Sequence, residues 1–410
     1  MLMIPGWRSG DCAYSTHRYN RPVAVTLGST RLLASGRLKN RRVGIVSNPA
    51  SIDASYTHIV DALMAAPGVT VGAVFGPQHG FRSDVQDNMI ETPHAKDCRR
   101  KVPVFSLYSE TREPTSDMLR HVDVMVIDLQ DIGARIYTYI YTMANCLRAC
   151  AKHGVEIIVC DRPNPIGGVD VEGPMLVEGN ESFVGQFPIP MRHGMTIGEL
   201  AHFFNEYFEI NAPLQVIEME GWTRSAYFDE TGIPFVMPSP NIPTLDSAIV
   251  YPGTVLFEGT TASEARGTTR PFELVGAPWV DAEKFAHEMN ARGLPGVHFR
   301  PAVFEPTFQK HAKKTCGGCQ IHVLDRRTFR PVLVGAALID QIRAANPKEF
   351  AWRRPPYEYE HDKEPIDILA GSPAFRLAID AGKRAEELVP VWERESKPFE
   401  EVRREYLRYG

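Results

Sequence analysis

Residues 122–143 read VDVMVIDLQDIGARIYTYIYTM, and this stretch decides the fold. It opens with a short apolar run, rich in β-branched residues, that is typical of a buried parallel strand. Four polar side chains then follow within eight residues: Asp128, Gln130, Asp131 and Arg135. Beyond them, apolar residues recur at helical spacing. The stretch therefore predicts a strand that leads into a helix through a charged turn, at the edge of the sheet where open α/β folds bind ligands.

The charged turn also has a purely structural interpretation. Asp128 and Asp131 would cap the helix, and Arg135 would pair with one of them. For each residue taken alone, this interpretation and a binding role are equally open. Similar polar turns follow four other predicted strands, and that repetition favours a site for the cluster as a whole.

Strand and helix signals alternate from Arg42 onward, which predicts a doubly wound parallel sheet. We expect a Rossmann-like catalytic domain over residues 22–245 and a smaller mixed α/β domain over residues 250–410. Five prolines between residues 234 and 252 predict an extended connection between the two domains. No helix in the first half begins with G-x-G-x-x-G, and G-x-x-x-x-G-K-[ST] is absent, so no nucleotide cofactor is expected.

The composition is that of a soluble globular protein, with 43% hydrophobic and 23% charged residues. A net charge of -5 gives no reason to expect nucleic acid or an anionic membrane as a partner. No apolar run approaches the length of a membrane span. Residues 1 to about 21 look like a loose leader and make a poor secretory signal. Seven cysteines, most of them single, indicate reduced thiols and a cytoplasmic location.

Polar side chains from five turns are expected to share the carboxyl edge of the sheet. A rim so rich in hydrogen-bonding groups suits a polyhydroxylated small molecule better than an apolar one. Glu172 and His193, from the loops that follow, are placed to fold over it. The rim residues are Asn48, Gln78, His79, Arg82, Glu91, Asp128, Gln130, Asp131, Arg135, Asp161, Arg162 and Asn164.

Several common catalytic patterns are missing. The chain has no G-x-S-x-G, so the sequence does not support serine hydrolase chemistry. The C-G-G-C segment 316–319 has metal-ligand residue types, but its spacing fits no zinc finger, and two thiols in a loop are the better interpretation. His79, Asp128 and His193 have the chemistry to hold a metal, but no H-x-x-x-H or H-x-D grouping brings them together in sequence. We therefore predict no metal site.

Six motifs occur in an order that resembles the NamZ-type exo-β-N-acetylmuramidases. They are GPQHGFRSDVQDNMIE, VIDLQDIGARIYTYIYTM, DRPNPIGG, VEGPML, HGMTIGELA and FEGTTASEARGTTRPFE. The match runs from about Arg42 to Pro331, and the remaining C-terminal residues are expected to follow. The resemblance implies a Rossmann-like domain joined to a smaller α/β domain, with the active site in the cleft between them. It also implies an enzyme that releases N-acetylmuramic acid from the non-reducing end of peptidoglycan fragments.

The same resemblance implies which carboxylates are catalytic. Glu172 of VEGP matches a family carboxylate proposed to act in the cleft. The other family glutamate usually stands in a Gly-Glu pair after an H-G-F-R-G turn. In this chain Ser83 replaces the last glycine of that turn, and Asn88-Met89 occupies the place of Gly-Glu. Glu91 is then the nearest replacement, so Glu91 and Glu172 are the expected catalytic pair; Gln78 stands where many relatives have Glu.

The loop FEGTTASEARGTTRPFE is predicted to reach back to the rim of the first domain and close the cleft. Glu258, Glu264 and Arg266 of this loop should then lie near His79 and Asp131.

Muramic acid carries a lactyl carboxylate, which arginine side chains recognise well through paired hydrogen bonds. The structural alternative is that Arg135 and Arg162 only pair with Asp131 and Asp161. The arginines that could bind the carboxylate are Arg82, Arg135, Arg162 and Arg266.

Two functions of other classes stay open at this point. One is a sugar-binding protein that has lost catalysis, because the Gly-Glu pair is missing. The other is a metal-dependent hydrolase or deacetylase built on His79, Asp128 and His193. Turnover of a chromogenic N-acetylmuramide, with and without a chelator, would separate both from a glycosidase.

Overall fold

The computed structural model describes residues 25–87 and 89–410. The leader expected over residues 1 to about 21 lies outside them, as does Asn88. The strands, in chain order, are β1 Arg41–Ser47, β2 Val69–Gly76, β3 Ala95–Asp97, β4 Val102–Ser106, β5 Val124–Asp128, β6 Glu156–Cys160, β7 Glu172–Met175, β8 Pro190–Arg192, β9 Leu214–Ile217, β10 Leu274–Ala277, β11 Val297–Phe304 and β12 Cys316–Val323.

The helices connect these strands and continue beyond them. Short 3-10 segments occupy Phe228–Glu230, Val255–Gly259 and Ala385–Glu387. The α-helices are α1 Gly28–Ser35, α2 Ile59–Ala65, α3 Ser116–Leu119, α4 Tyr139–His153, α5 Ile197–Glu206, α6 Leu245–Thr254, α7 Ala282–Ala291, α8 Pro331–Ala345, α9 Pro365–Ala370, α10 Ala374–Asp380 and α11 Val389–Arg403. Among the described residues, no helix is long and apolar enough to cross a membrane.

The large sheet has the strand order β3-β4-β2-β1-β5-β6-β9. All neighbouring strands are parallel except β3, which runs antiparallel to β4 at the edge. Every residue of β5 is buried, as a continuous apolar run predicts for a central parallel strand. In the second half, β10, β12 and β11 form an antiparallel sheet. The predicted fold class, a Rossmann-like sheet followed by a smaller α/β unit, is confirmed.

The turn after β5 is longer than the sequence pattern suggests. The helix begins only at Tyr139, so Ile136 belongs to the connection although it falls at helical spacing. Gly133 has a φ of 84°, and a Cβ there would lie 2.4 Å from Oδ1 of Asn164. Only glycine therefore lets this connection pack against the turn that follows β6.

Two local predictions were wrong. Residues 234–252 are not extended throughout, because α6 begins at Leu245 and includes Pro252. The C-G-G-C segment is not a loop: Cys316 and Cys319 belong to β12, and both are buried. The six cysteines of the described chain are all free thiols.

The last residues of the chain pack against the first half. The Tyr409 hydroxyl donates to Oδ2 of Asp161 at 2.5 Å, and Arg224 N donates to the carbonyl of Gly410 at 2.9 Å. Asp161 also accepts from the Thr196 hydroxyl and from Gly198 N, at 2.7 and 2.8 Å. Burial raises the pKa of this carboxyl to about 7.

Helices α6 and α8 cross at a pair of glycines. A Cβ on Gly253 would lie 1.8 Å from the carbonyl oxygen of Pro331, and one on Gly335 would lie 2.2 Å from that of Gly253. Both clashes are with backbone atoms, so no side-chain rotation can relieve them. This crossing holds α8 against α6, the first α-helix after the last strand of the large sheet.

We predict that Gly253→Ala lowers the free energy of unfolding by about 3 kcal/mol or more, because the helices must separate. The better helix propensity of alanine returns only about 1 kcal/mol. Urea denaturation measures the loss. Gly382→Ala is the control, since its φ is 80° but nothing lies within 4 Å of the added carbon; it should cost only about 1 kcal/mol of backbone strain. Equal losses in both variants would contradict the steric explanation.

Candidate functional site

The strand-end turns are joined by the buried guanidinium of Arg162. Its Nη1 donates to Oδ1 of Asp128 at 2.9 Å, and its Nε donates to Oε1 of Gln130 at 3.1 Å. Its Nη2 donates to the carbonyls of Ala50 and Ile52, at 2.9 and 2.8 Å. One side chain thus connects the turns after β1, β5 and β6. The guanidinium of Arg162 pairs with Asp128 and not with Asp161, contrary to the structural alternative.

Two rim asparagines also hold backbone. Asn48 Nδ2 donates to the carbonyls of Gln130 and Pro238, at 3.4 and 3.3 Å. Asn164 Nδ2 donates to the carbonyl of Met195 at 3.0 Å. Both side chains are buried, and their polar atoms serve neighbouring turns.

Asp131 and Arg135, two further rim residues, have different partners, and Asp131 lies close to His193. Oδ2 of Asp131 accepts from Gly133 N at 2.8 Å and lies 3.5 Å from Nε2 of His193. Arg135 therefore does not pair with Asp131, contrary to the structural alternative. Its Nη2 donates to the carbonyl of Leu369 at 3.0 Å, and burial lowers its pKa to about 10.

A cavity of about 40 Å³ lies beyond these turns, between the two halves of the chain. Gln78 and His79 line it from the turn after β2. The loop predicted to close the cleft contributes Glu258 and Arg266. The segment before α9 contributes further residues, among them Tyr357 and Glu358. The expectation that Glu258 and Arg266 lie near His79 agrees with this arrangement, whereas Asp131 does not line the cavity.

Glu258 is held as a carboxylate. Arg266 Nη2 donates to its Oε1 and the Tyr357 hydroxyl donates to its Oε2, both at 2.6 Å. Burial by itself would raise the pKa of Glu258, but the charge and hydrogen bond of Arg266 lower it below its ordinary value.

Glu358 has the opposite electrostatic environment. It is buried, and burial raises its pKa to about 7, with the nearby charge of Glu258 acting in the same direction. Its Oε2 accepts from the Tyr108 hydroxyl at 3.1 Å. Gln78 links Tyr108 to Thr138, because its Nε2 donates to Tyr108 at 3.2 Å and its Oε1 accepts from Thr138 at 2.6 Å. The cavity therefore contains two carboxyl groups whose pKa values differ.

His79 is neutral at physiological pH, because burial lowers its pKa to about 4. Its Nδ1 lies 2.8 Å from the carbonyl of Val85. A carbonyl can only accept, so Nδ1 carries the proton and Nε2 is left as an acceptor. Such an acceptor suits a ligand hydroxyl.

Glu264 contacts two cations that hold the loop FEGTTASEARGTTRPFE in place. Lys310 Nζ lies 2.6 Å from its Oε2, and Arg266 Nε lies 3.5 Å from its Oε1. Lys310 also donates to the carbonyls of Phe257 and Ala262, each at 2.7 Å. The loop is therefore folded around two cations, the buried Arg266 and the partly buried Lys310.

The expected catalytic glutamates lie elsewhere. The half-exposed Glu91 is 3.6 Å from Arg112 Nη2. Glu172 in β7 accepts from Leu333 N, in the first turn of α8, at 2.9 Å, and burial raises its pKa to about 7. Arg82 is exposed. None of these three is among the described residues that line the cavity.

The three residues considered for a metal are also dispersed. Asp128 is bound to Arg162, His193 faces Asp131, and His79 lines the cavity. Within residues 25–87 and 89–410, no group of three or more His, Cys, Asp or Glu side chains is arranged to hold a metal ion.

Glu358 and Tyr357 were not predicted as site residues from the sequence. They belong to PPYEYEH, residues 355–361, where acidic and aromatic residues alternate in a loop. That alternation is a weak signal of a site. Aromatic residues next to acids are unusual in a linker or a solvated turn, but they name no chemistry by themselves. Glu358 and Tyr359 both have positive φ, 45° and 69°, which indicates a constrained loop.

The chain is similar to proteins of one family over most of its length. The model described as exo-beta-N-acetylmuramidase NamZ, N-terminal, matches residues 43–246, and its C-terminal counterpart matches residues 249–409. Peptidoglycan beta-N-acetylmuramidase NamZ of Bacillus subtilis (strain 168) is 44% identical over 373 residues, which cover 91% of this chain and 88% of that protein.

Two crystal structures of DUF1343 family proteins from Bacteroides fragilis NCTC 9343 have similar folds. One has a TM-score of 0.85 and 34% identity, and the match covers 95% of this chain and 100% of that one. The other has a TM-score of 0.70 and 28% identity, with coverages of 94% and 99%.

We predict that Arg162→Met lowers the free energy of unfolding by about 3–5 kcal/mol, because Asp128 would remain buried without its partner. Arg326→Met is the matched control, since its pair with Asp229 is half exposed and should contribute about 1 kcal/mol or less. Chemical denaturation of both variants measures the difference. If Arg162→Met were as stable as the control, Arg162 would not be the structural centre of the rim.

Proposed function

Because this chain belongs to the exo-β-N-acetylmuramidase NamZ family, we propose that it is a glycosidase that releases N-acetylmuramic acid from the non-reducing end of peptidoglycan fragments. We further propose that Glu358 and Glu258 carry out the hydrolysis. The observation that supports this assignment is the pair of carboxyl groups in a single cavity, Glu358 with a pKa raised to about 7 and Glu258 with a lowered pKa.

Glycoside hydrolysis needs an acid that protonates the leaving oxygen and a second group that stabilises the charge on the sugar. Glu358, whose pKa is raised to about 7, is the general acid. Glu258 is ionised and stabilises the positive charge that develops at the anomeric carbon. Water adds to that carbon as the protonated leaving oxygen departs, and the proton that the water gives up returns to the carboxyl groups. Arg266 and the Tyr357 hydroxyl fix its orientation. Such a division of roles between two carboxyls follows from their different surroundings.

The cavity is smaller than a sugar residue, so the bond to be cleaved must reach it from a larger space. A groove of about 540 Å³ adjoins the cavity, and Glu258 lines both. We place the reacting bond at this shared wall. His79 Nε2 is then an acceptor for a hydroxyl of the substrate.

The proposed partner is a small saccharide containing muramic acid, and no cofactor is proposed. A domain boundary between residues 245 and 250 is supported by the two family models, which meet there. The cytoplasm is the proposed location, supported by free cysteines, most of them buried.

The motif-based pair, Glu91 and Glu172, is the second candidate for the catalytic groups. Glu172 stands in an intact VEGP motif, and its pKa of about 7 suits an acid. Glu172 also has a structural role, because its carboxyl group accepts from the backbone amide of Leu333 in the first turn of α8.

We predict that Glu358→Gln and Glu258→Gln each lower turnover of a chromogenic N-acetylmuramide by about 10²–10⁴-fold, because the shape is kept and the proton chemistry or charge is lost. Glu91→Gln and Glu172→Gln are the comparison, with circular dichroism to check folding. Loss of activity in the second pair but not the first would transfer the catalytic role to Glu91 and Glu172. A wild type that binds the sugar without turnover would contradict a glycosidase.

We predict that activity falls as the pH rises through about 7, because the acid must be protonated. The Tyr108 hydroxyl donates to Glu358 and favours its ionised form. Tyr108→Phe should therefore raise the pKa of Glu358 and move the upper limb of the profile of kcat/KM to higher pH. Tyr207→Phe, at an exposed tyrosine, is the control. An unshifted upper limb in Tyr108→Phe would contradict Glu358 as the acid.

A further inference from the structure

The groove beside the cavity has a cationic residue without a carboxylate partner. Arg353 lines it and is half buried. Its guanidinium carbon lies 5.6 Å from the ring centre of Tyr357, and its backbone N donates to the carbonyl of Gly259 at 2.8 Å. Within residues 25–87 and 89–410, no carboxylate forms an ion pair with Arg353.

The other charged groups of the groove are already engaged. Lys310 is bound by Glu264 and by backbone carbonyls. Glu258 is bound by Arg266, and Asp87 accepts from Gln309.

His311 does not add a charge either. Its Nε2 lies 2.7 Å from the carbonyl of Thr261, and burial lowers its pKa. Arg353 is therefore the groove cation whose guanidinium is left for a ligand.

We propose that Arg353 forms a binding subsite for a carboxylate on the leaving-group side of the substrate. This inference rests on the proposed function, which places the cleaved bond at Glu258. The sugar that is released would lie at the wall shared by the cavity and the groove, and the leaving group would extend along the groove. A leaving group that contains a further muramic acid carries a lactyl carboxylate, and an arginine fork matches that group in geometry and charge.

The position of Arg353 fits a role in selectivity. Its guanidinium lies over the ring of Tyr357, 5.6 Å from the ring centre, and the Tyr357 hydroxyl donates to Glu258. Arg353 is thus positioned by the same segment that supplies Glu358. A guanidinium fixed in this way loses little further freedom when it binds a carboxylate. Substrates with a carboxylate there should bind more tightly than neutral ones.

The test uses three substrates that share the same cleaved bond. The first is the trisaccharide MurNAc-GlcNAc-MurNAc, the second is this trisaccharide with the reducing-end lactyl carboxylate converted to an amide, and the third is the disaccharide MurNAc-GlcNAc. We expect Arg353→Gln to lower kcat/KM for the acid relative to the amide by about 10–100-fold, mainly through KM. The disaccharide has no carboxylate on its leaving-group side. Its kcat/KM with Arg353→Gln should therefore equal that of the wild type, or change by the same factor as that of the amide.

Arg354→Gln is the matched control, because Arg354 lies on the same segment, is largely exposed and pairs with Glu364. It should leave the ratio of acid to amide unchanged. Equal losses on acid and amide in Arg353→Gln would overturn the subsite, even if all three substrates are cleaved. Failure of the wild type to cleave the disaccharide, whose leaving group carries no carboxylate, would instead contradict the proposed function.

Discussion

The buried guanidinium of Arg162 is the interaction on which the rest of the structure depends. Parallel strands end in polar turns that the strands themselves cannot hold together, because their backbone hydrogen bonds stop at the edge. Arg162 links three of these turns through a carboxylate, an amide and two carbonyls. Removing its charge from water is costly, and only the full set of partners compensates.

The parallel sheet could be predicted from the sequence because each buried strand is a local signal. The run from Val124 to Ile127 can be buried only in a sheet covered on both faces. The strand-end turns were predicted as one rim, and they do share one edge. The partners of the polar side chains in these turns could not be predicted, because they are distant in sequence. Arg162 pairs with Asp128, 34 residues away, and Asp161 accepts from Tyr409, 248 residues away.

The candidate site illustrates the same limit. Glu358 lines the cavity from a loop and accepts a hydrogen bond from Tyr108, which is 250 residues away in sequence. No hydrophobic periodicity in the sequence predicts such a long-range contact. The motifs identified the family because they preserve turns, and most of their polar side chains serve backbone groups. Gln78, His79, Thr138, Glu258 and Arg266 are among the motif residues that also line the cavity. Motif membership therefore located the region, while burial and charge selected the reacting groups.

The docking of Tyr409 onto Asp161 has a consequence for biosynthesis. A ribosome delivers the large sheet early, with its strands complete by Ile217. The carboxyl of Asp161 nevertheless lacks its tyrosine partner until the last helix, α11, and the residues after it have emerged. Maturation of the first half is thus coupled to synthesis of the second, because a nascent chain halted within α11 leaves Asp161 without this hydrogen bond.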